Sequence, residues 1–222
     1  MSSMRDVVNM LAPHGTKRTF KKGSVVLYQG EAPRMAYVIR KGDVKVYTIN
    51  NTGEEQIVNM HGAGDMFPSP WIFKKTTTSL YYYETTSACE IITLPRDVLL
   101  DIIYRPDALP QLVDYLATNY IGMLMRTTAL QQSRASEKIM FTLYYLLSRY
   151  GTETQAGFYK IELPLTHNAL ASLVGLTRET TTMELNNLKR RGVLSYAHHI
   201  YVVNKAALER SLGEESFSDL LL

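Results

Sequence analysis

Residues 164–194, PLTHNALASLVGLTRETTTMELNNLKRRGVL, leave little freedom in how they fold. Thr166 and Thr177 each stand just before a helical pattern, where a hydroxyl accepts from the free amides of a first turn. Gly175 and Gly192 follow the two patterns, where a helix ends in a residue of positive φ, and Val174-Gly175-Leu176 leaves only a short turn between them. The spacing predicts a helix-turn-helix. In the second helix Thr181, Leu185 and Leu188 fall at i, i+4 and i+7 and face a core. Arg178, Glu179, Thr182, Met183 and Asn186 share the opposite face, and Lys189, Arg190 and Arg191 close the helix with positive charge. Such a face suits a major groove, and the basic end suits phosphate. Taken alone, a helix pair with glycine in its turn fits an ordinary small helical domain as well. The sequel favours DNA: Val193-Leu194-Ser195-Tyr196 and Ile200-Tyr201-Val202-Val203 form two predicted strands around the tip Ala197-His198-His199, which makes a winged helix-turn-helix.

The formal net charge of +3 argues for no partner by itself, but its distribution does. Between 160 and 210, Lys160, Arg178, Lys189, Arg190, Arg191, Lys205 and Arg210 outnumber Glu162, Glu179, Glu184 and Glu209. A solvated helix end is one account of the Lys189–Arg191 run; its place at the end of the candidate reading helix favours phosphate contact.

Upstream, the first hundred residues read as short strands at 24–28, 36–40, 43–49, 55–60, 80–84 and 89–94. In the third, Val44, Val46 and Thr48 alternate with Lys45, Tyr47 and Ile49, as expected of a sheet with one face toward a core. Gly30, Gly42, Gly53 and Gly64 punctuate the strands as the corners of an antiparallel roll require. A long helix follows, with Asp107 as its expected cap and Pro110 in its first turn. Along it Leu109, Val113, Leu116, Tyr120, Met123, Thr127 and Leu130 step by four and three, the a/d seam of a parallel two-stranded coiled coil. Packing within its own domain is the alternative. Gly122, inside the helix, points to a close backbone approach, and a second helix is expected from Glu137 to Tyr150 between Ser136 and Gly151.

Several functions are disfavoured. No run of about 18 apolar residues exists to span a membrane, and Arg5, Asp6 and Asn9 interrupt the N-terminal apolar residues, unlike a secretory signal; a cytoplasmic protein is expected. A single cysteine, Cys89, admits no internal disulfide and lies in a predicted buried strand, with redox sensing as its other reading. Five scattered histidines form no metal-ligating spacing, and no Ser/His/Asp set or phosphate-binding glycine loop appears. Neither an enzyme nor a metal or cofactor is expected.

The segments FKKGSVVLYQGE (20–31), AYVIRKGDVKVY (36–47), HGAGDMF (61–67) and LTHNALASLVGLTRETTTMELNNLKRRGVL (165–194) together resemble the Crp/Fnr family of bacterial transcription regulators over nearly the whole chain. The resemblance implies an α+β fold: an antiparallel β-roll like a cyclic-nucleotide-binding jelly roll over 1–106, a dimerisation helix over 107–134, a winged helix-turn-helix over 135–212, and a tail over 213–222. It further implies a homodimer on a palindromic double-stranded DNA operator, with RNA polymerase as a candidate partner and a small-molecule effector in the roll. By the same resemblance Thr166, His167, Thr177, Arg178, Glu179, Thr182, Met183, Asn186, Lys189 and Arg190 are the candidate DNA-contacting residues. Arg178 and Glu179 match positions that read guanine and cytosine, whereas Met183 stands where the family often has arginine.

The sensory cassette departs from the family. After Gly64-Asp65-Met66-Phe67 the cyclic-nucleotide-binding members place a Glu, and ten residues later an Arg and a hydroxyl residue; here these are Ser69, Ser79 and Leu80. Serine cannot replace a bidentate arginine on phosphate, so no response to cyclic AMP is expected. Lys74 and Lys75 are either substitute phosphate donors or a solvated loop tip, and His61 alone is poor support for haem. Met123 and Leu124 occupy the positions of adenine-contacting hydroxyls. With Trp71, Phe73, Tyr81, Tyr82 and Tyr83 they either line a pocket for an apolar effector or fill the roll so that none is needed. A ligand-binding module that acts only through protein contacts is the alternative function.

Overall fold

The computed structural model describes residues 4–213, so residues 214–222 of the expected tail lie outside the described residues. The chain divides into two compact units, one ending at Ala117 and one beginning at Thr118.

The first unit runs through α1 (Met4–Leu11), β1 (Thr16–Phe20), β2 (Val25–Leu27), β3 (Ala36–Lys41), β4 (Val44–Ile49), β5 (Glu55–His61), β6 (Met66–Phe67), α2 (Ser69–Ile72), β7 (Tyr82–Thr85), β8 (Cys89–Leu94) and α3 (Arg96–Ile103) into the start of α4 (Leu109–Gln131). Its strands form two antiparallel sheets, ordered β1-β8-β3-β6 and β2-β7-β4-β5. Between them lie Leu27, Ile39, Val44, Val46, Phe67, Tyr83, Cys89 and Ile91. The other face of the first sheet presents Val38, Ile92 and Leu94 to Leu11, Ile72, Leu99, Ile103 and Leu112 of the helices. β8 is thus covered on both faces, which is why CEIITL is continuously apolar instead of alternating.

The expected alternation in β4 breaks. A register shift against β5 between Val46 and Tyr47 buries Val44, Val46 and Tyr47 and leaves Thr48 only half-buried, so Thr48 does not continue the core face. Strand β1, whose residues are mostly exposed, and two-residue β6 carry no period-2 signal and were not expected; neither were α1 and α3.

The second unit holds the rest of α4, then α5 (Ala135–Tyr150), β9 (Gly151–Gln155), β10 (Phe158–Ile161), α6 (His167–Val174), α7 (Arg178–Arg190), β11 (Leu194–Ala197), β12 (Ile200–Asn204) and α8 (Lys205–Leu212). The wing strands extend into a four-stranded antiparallel sheet, β11-β12-β10-β9, whose β9–β10 hairpin the sequence did not suggest. Three details differ from expectation. Helix α4 begins at Leu109, so Asp107 lies ahead of its capping position. Helix α5 starts at Ala135, and Arg134 at its cap supplies no side-chain hydrogen bond, so Ser136 is already helical. At Gly122 it is the Tyr145 ring, not a backbone, that comes close: a Cβ there would meet Tyr145 Cε2 at 3.0 Å. Gly151 lets the chain leave α5 directly into β9, since a Cβ would stand 2.2 Å from the Leu147 carbonyl oxygen.

Candidate nucleic-acid interface

The helix pair is built by the caps the sequence supplies. Thr166 Oγ1 accepts from the Ala169 amide at 3.0 Å and opens α6; Thr177 Oγ1 accepts from the Thr180 amide at 3.2 Å and opens α7. Between them Gly175 takes φ +67°, a left-handed conformation that costs glycine nothing. Thr181, Leu185 and Leu188 are fully buried under α7, which fixes its rotation about its own axis.

That rotation leaves Arg178, Glu179, Met183, Asn186, Lys189 and Arg190 exposed. Thr182 differs: half-buried, its Oγ1 lies 2.9 Å from His167 Nδ1, tying the start of α6 to α7. Burial, the charge of His199 and then that of Arg178 hold the His167 imidazole below its usual 6.5. At the end of α7 the three cations take separate anchors. Lys189 Nζ lies 5.0 Å from the centroid of the Tyr196 ring, Arg190 donates to Asn187 Oδ1, and Arg191 donates to Ser211 Oγ at 2.9 Å. The wing turns at His198 and His199, both of positive φ (48° and 67°). The face thus combines exposed hydrogen-bond donors and acceptors, one apolar side chain at Met183, and a cationic end. Tyr196, absent from the expected set, contributes to it from β11; the only signal in the sequence is an aromatic residue two positions after the buried Leu194.

The residues expected to form a dimer seam also share a condition. Leu109, Val113, Leu116, Tyr120, Met123, Thr127 and Leu130 are all exposed, the apolar ones by 43% to 65%. Their neighbours Leu112, Tyr115, Gly122, Met125 and Ala129 are buried instead. Helix α4 therefore packs on its own chain with one face and presents the heptad stripe to solvent.

Within the first unit the aromatic candidate effector residues fall in separate packing environments. Consecutive tyrosines of a strand point to opposite faces. Tyr81 and Tyr83 pack with the inter-sheet cluster, where the Tyr83 ring stacks on Phe67 at 4.6 Å, while Tyr82 stacks on Tyr47 at 5.0 Å with Tyr28 at its edge. Trp71 and Phe73 belong to the helix-covered cluster on the far side of the first sheet. Leu80 is exposed, and Met123 and Leu124 are exposed residues of the second unit. At the cassette, Ser79 is buried with its hydrogen bonding spent locally: its hydroxyl donates to the Tyr81 carbonyl at 2.7 Å, its amide to Glu31, and its carbonyl accepts from Gly30. Ser69 Oγ donates to the Met66 carbonyl at 2.9 Å, and Lys74 pairs with Asp97 at 3.6 Å. Cys89 is buried and donates to the Asp43 carbonyl at 3.3 Å, with its thiol pushed up by desolvation.

Comparison with known proteins places these features in context. Residues 17–105 match the model of the cyclic nucleotide-binding domain, and residues 137–211 match that of the Crp-like helix-turn-helix domain. The chain is 31% identical over 195 residues to the anaerobic regulatory protein of Aggregatibacter actinomycetemcomitans, covering 86% of this chain and 74% of that one. It is 31% identical over 202 residues to the fumarate and nitrate reduction regulatory protein of Vibrio cholerae, covering 89% and 78%. Among solved structures, FixK2 of Bradyrhizobium japonicum superposes with a TM-score of 0.72 at 20% identity over 88% of this chain and 96% of that one. A CooA variant of Carboxydothermus hydrogenoformans superposes with a TM-score of 0.73 at 17% identity over 95% of each. Both likenesses are of fold. Among the described residues no helix is long and apolar enough to cross a membrane.

Proposed function

We propose, from the premise that this chain belongs to the Crp/Fnr family of DNA-binding transcription regulators, that it acts as a homodimer on a palindromic operator and does not respond to cyclic AMP. The observation that carries the DNA-reading part is the rotation of α7: with Thr181, Leu185 and Leu188 buried, Arg178 and Glu179 stand free at the first turn. Arginine there pairs with guanine O6 and N7, glutamate accepts from cytosine N4, and Met183 offers an apolar contact to a thymine methyl. Lys189 and Arg190 supply phosphate contacts that hold the register. Two copies joined along α4 would place two such helices about one DNA turn apart.

The lack of a cyclic AMP response is supported by the cassette. A cyclic phosphate brought to Ser79 meets a buried hydroxyl already donating to Tyr81, where the cyclic-nucleotide-binding members carry a guanidinium. The dispersal of Trp71, Tyr82 and Tyr83 over three packing environments favours a roll filled by its own side chains over one that opens on an apolar effector. The test is selection of operators from random duplexes, followed by Glu179→Ala. A palindromic consensus is expected, and Glu179→Ala should relax discrimination at one base pair per half-site by about 1–3 kcal/mol. Equal weakening on all sequences would remove Glu179 from base reading; no enriched sequence at all would remove the function.

A further inference from the structure

Tyr196 links the elements that carry the reading face. From β11 its hydroxyl donates to Asn186 Oδ1 at 3.0 Å, and its ring carries the Lys189 ammonium 5.0 Å from the centroid. The same ring meets His167 edge-on, with centroids 5.0 Å apart and planes at 73°, and lies 5.6 Å from the ring of Tyr201. His167 in turn is bonded to Thr182. Wing, first helix and reading helix thus converge on one side chain. We infer that Tyr196 is a positioning residue for base readout: it fixes the orientation of the Asn186 amide and the Lys189 ammonium without itself reading a base. The inference rests on the DNA-reading function proposed above.

The chemistry of an exposed asparagine makes this consequential. A free amide can present its oxygen or its nitrogen to a groove, and the two orientations ask for opposite base edges. With Oδ1 accepting from Tyr196, the Nδ2 hydrogens are the groups left to point away from the hydroxyl, toward acceptors such as purine N7, guanine O6 or thymine O4. Fixing that orientation before binding also spares the rotamer entropy otherwise lost on the DNA. Tyr196 can impose it because it is itself held: half-buried, with His167 at its edge and Tyr201 beside it. Lys189 is held at the helix end by its ammonium over the ring, a contact that does not cancel its charge.

The experiment uses the full chain and fluorescence anisotropy on the selected operator, its single-base-pair variants and a salt series, with Tyr196→Phe, Asn186→Ala and the double variant. Phenylalanine keeps the ring and removes only the hydroxyl. Tyr196→Phe should weaken the best operator about fivefold. The loss should fall on the same base pair whose discrimination Asn186→Ala abolishes, with the salt slope unchanged, and should vanish in the Asn186→Ala background. Three results overturn the inference while the wild type still discriminates: an equal loss in both backgrounds, a uniform loss over all sequences with a shallower salt slope, which marks Tyr196 as a phosphate contact, or no loss. A wild type that discriminates no sequence overturns the DNA-reading function and this inference with it.

Discussion

Met123→Glu is the sharpest perturbation of the proposed dimer. Met123 is 65% exposed and lies on the stripe that includes Leu116, Tyr120 and Leu130. Full burial of such a side chain stabilises by about 2 kcal/mol, so covering what remains exposed is worth about 1 kcal/mol per copy. The substitution forfeits this in both copies, about 2 kcal/mol. In a parallel two-fold seam the two new carboxylates also face each other; at about 6 Å and an effective dielectric near 20 their repulsion costs about 3 kcal/mol. A total near 5 kcal/mol weakens the dimer by about three to four powers of ten. Because Met123 makes little contact within its own chain, the protomer should remain folded. Sedimentation equilibrium over a concentration series reads the dissociation constant, and circular dichroism checks the fold. Tyr104→Glu, which removes a 53% exposed aromatic residue that is not part of the heptad stripe, is the control and should leave the dimer intact. If Met123→Glu sediments as the wild-type dimer, the stripe is not the interface; if the wild type is monomeric at micromolar concentration, the heptad argument fails outright.

Two further outcomes follow from particular side chains. Calorimetric titration with cyclic AMP should show no binding at micromolar concentration, because Ser79 supplies no countercharge; a measurable micromolar constant refutes the reading of the cassette. His167 is held below 6.5, so as pH falls beneath that value the unfolded chain takes up a proton that the folded chain does not, and stability is lost until the folded pKa is passed. Denaturant melts between pH 7 and 5 should therefore show a shallower loss for His167→Gln than for wild type, and parallel curves would show that His167 does not contribute to the slope.

How much of this was legible in the residues depends on the range of the interaction that decides each feature. The caps of α6 and α7 act over three residues, and their hydroxyl acceptors fall where Thr166 and Thr177 predicted. The heptad stripe of α4 is likewise a local periodicity, and its seven positions are all exposed, as are Leu124 and several of their other neighbours. Alternation in β4 was equally local in the sequence, but the register with β5 is set by pairing between strands, and the shift at Val46 and Tyr47 overrode it. The β9–β10 hairpin was missed for a related reason. Its strands read GTETQ and FYKI, the first almost wholly exposed, and it is held by pairing to β12, forty or more residues away.

The aromatic members of the candidate effector set are dispersed for a geometric reason that proximity in sequence conceals. Trp71, Phe73 and the three tyrosines lie within thirteen residues, which made a shared pocket plausible. A sheet separates what its sequence adjoins: Tyr82 faces away from Tyr81 and Tyr83, and α2 carries Trp71 to the other side of the first sheet. Tyr196 is the converse case. It is remote in sequence from His167 and lies in a strand chosen for its apolar neighbours, yet the wing folds its ring against α6 and α7 together. Residues that act from one helix are visible in its own motif; the side chains that hold such a helix in register come from other elements. In this family, substitutions at a wing position equivalent to Tyr196 should therefore alter base preference even when α7 is unchanged, and exchanging the wing alone, with α7 kept, should transfer part of the operator specificity.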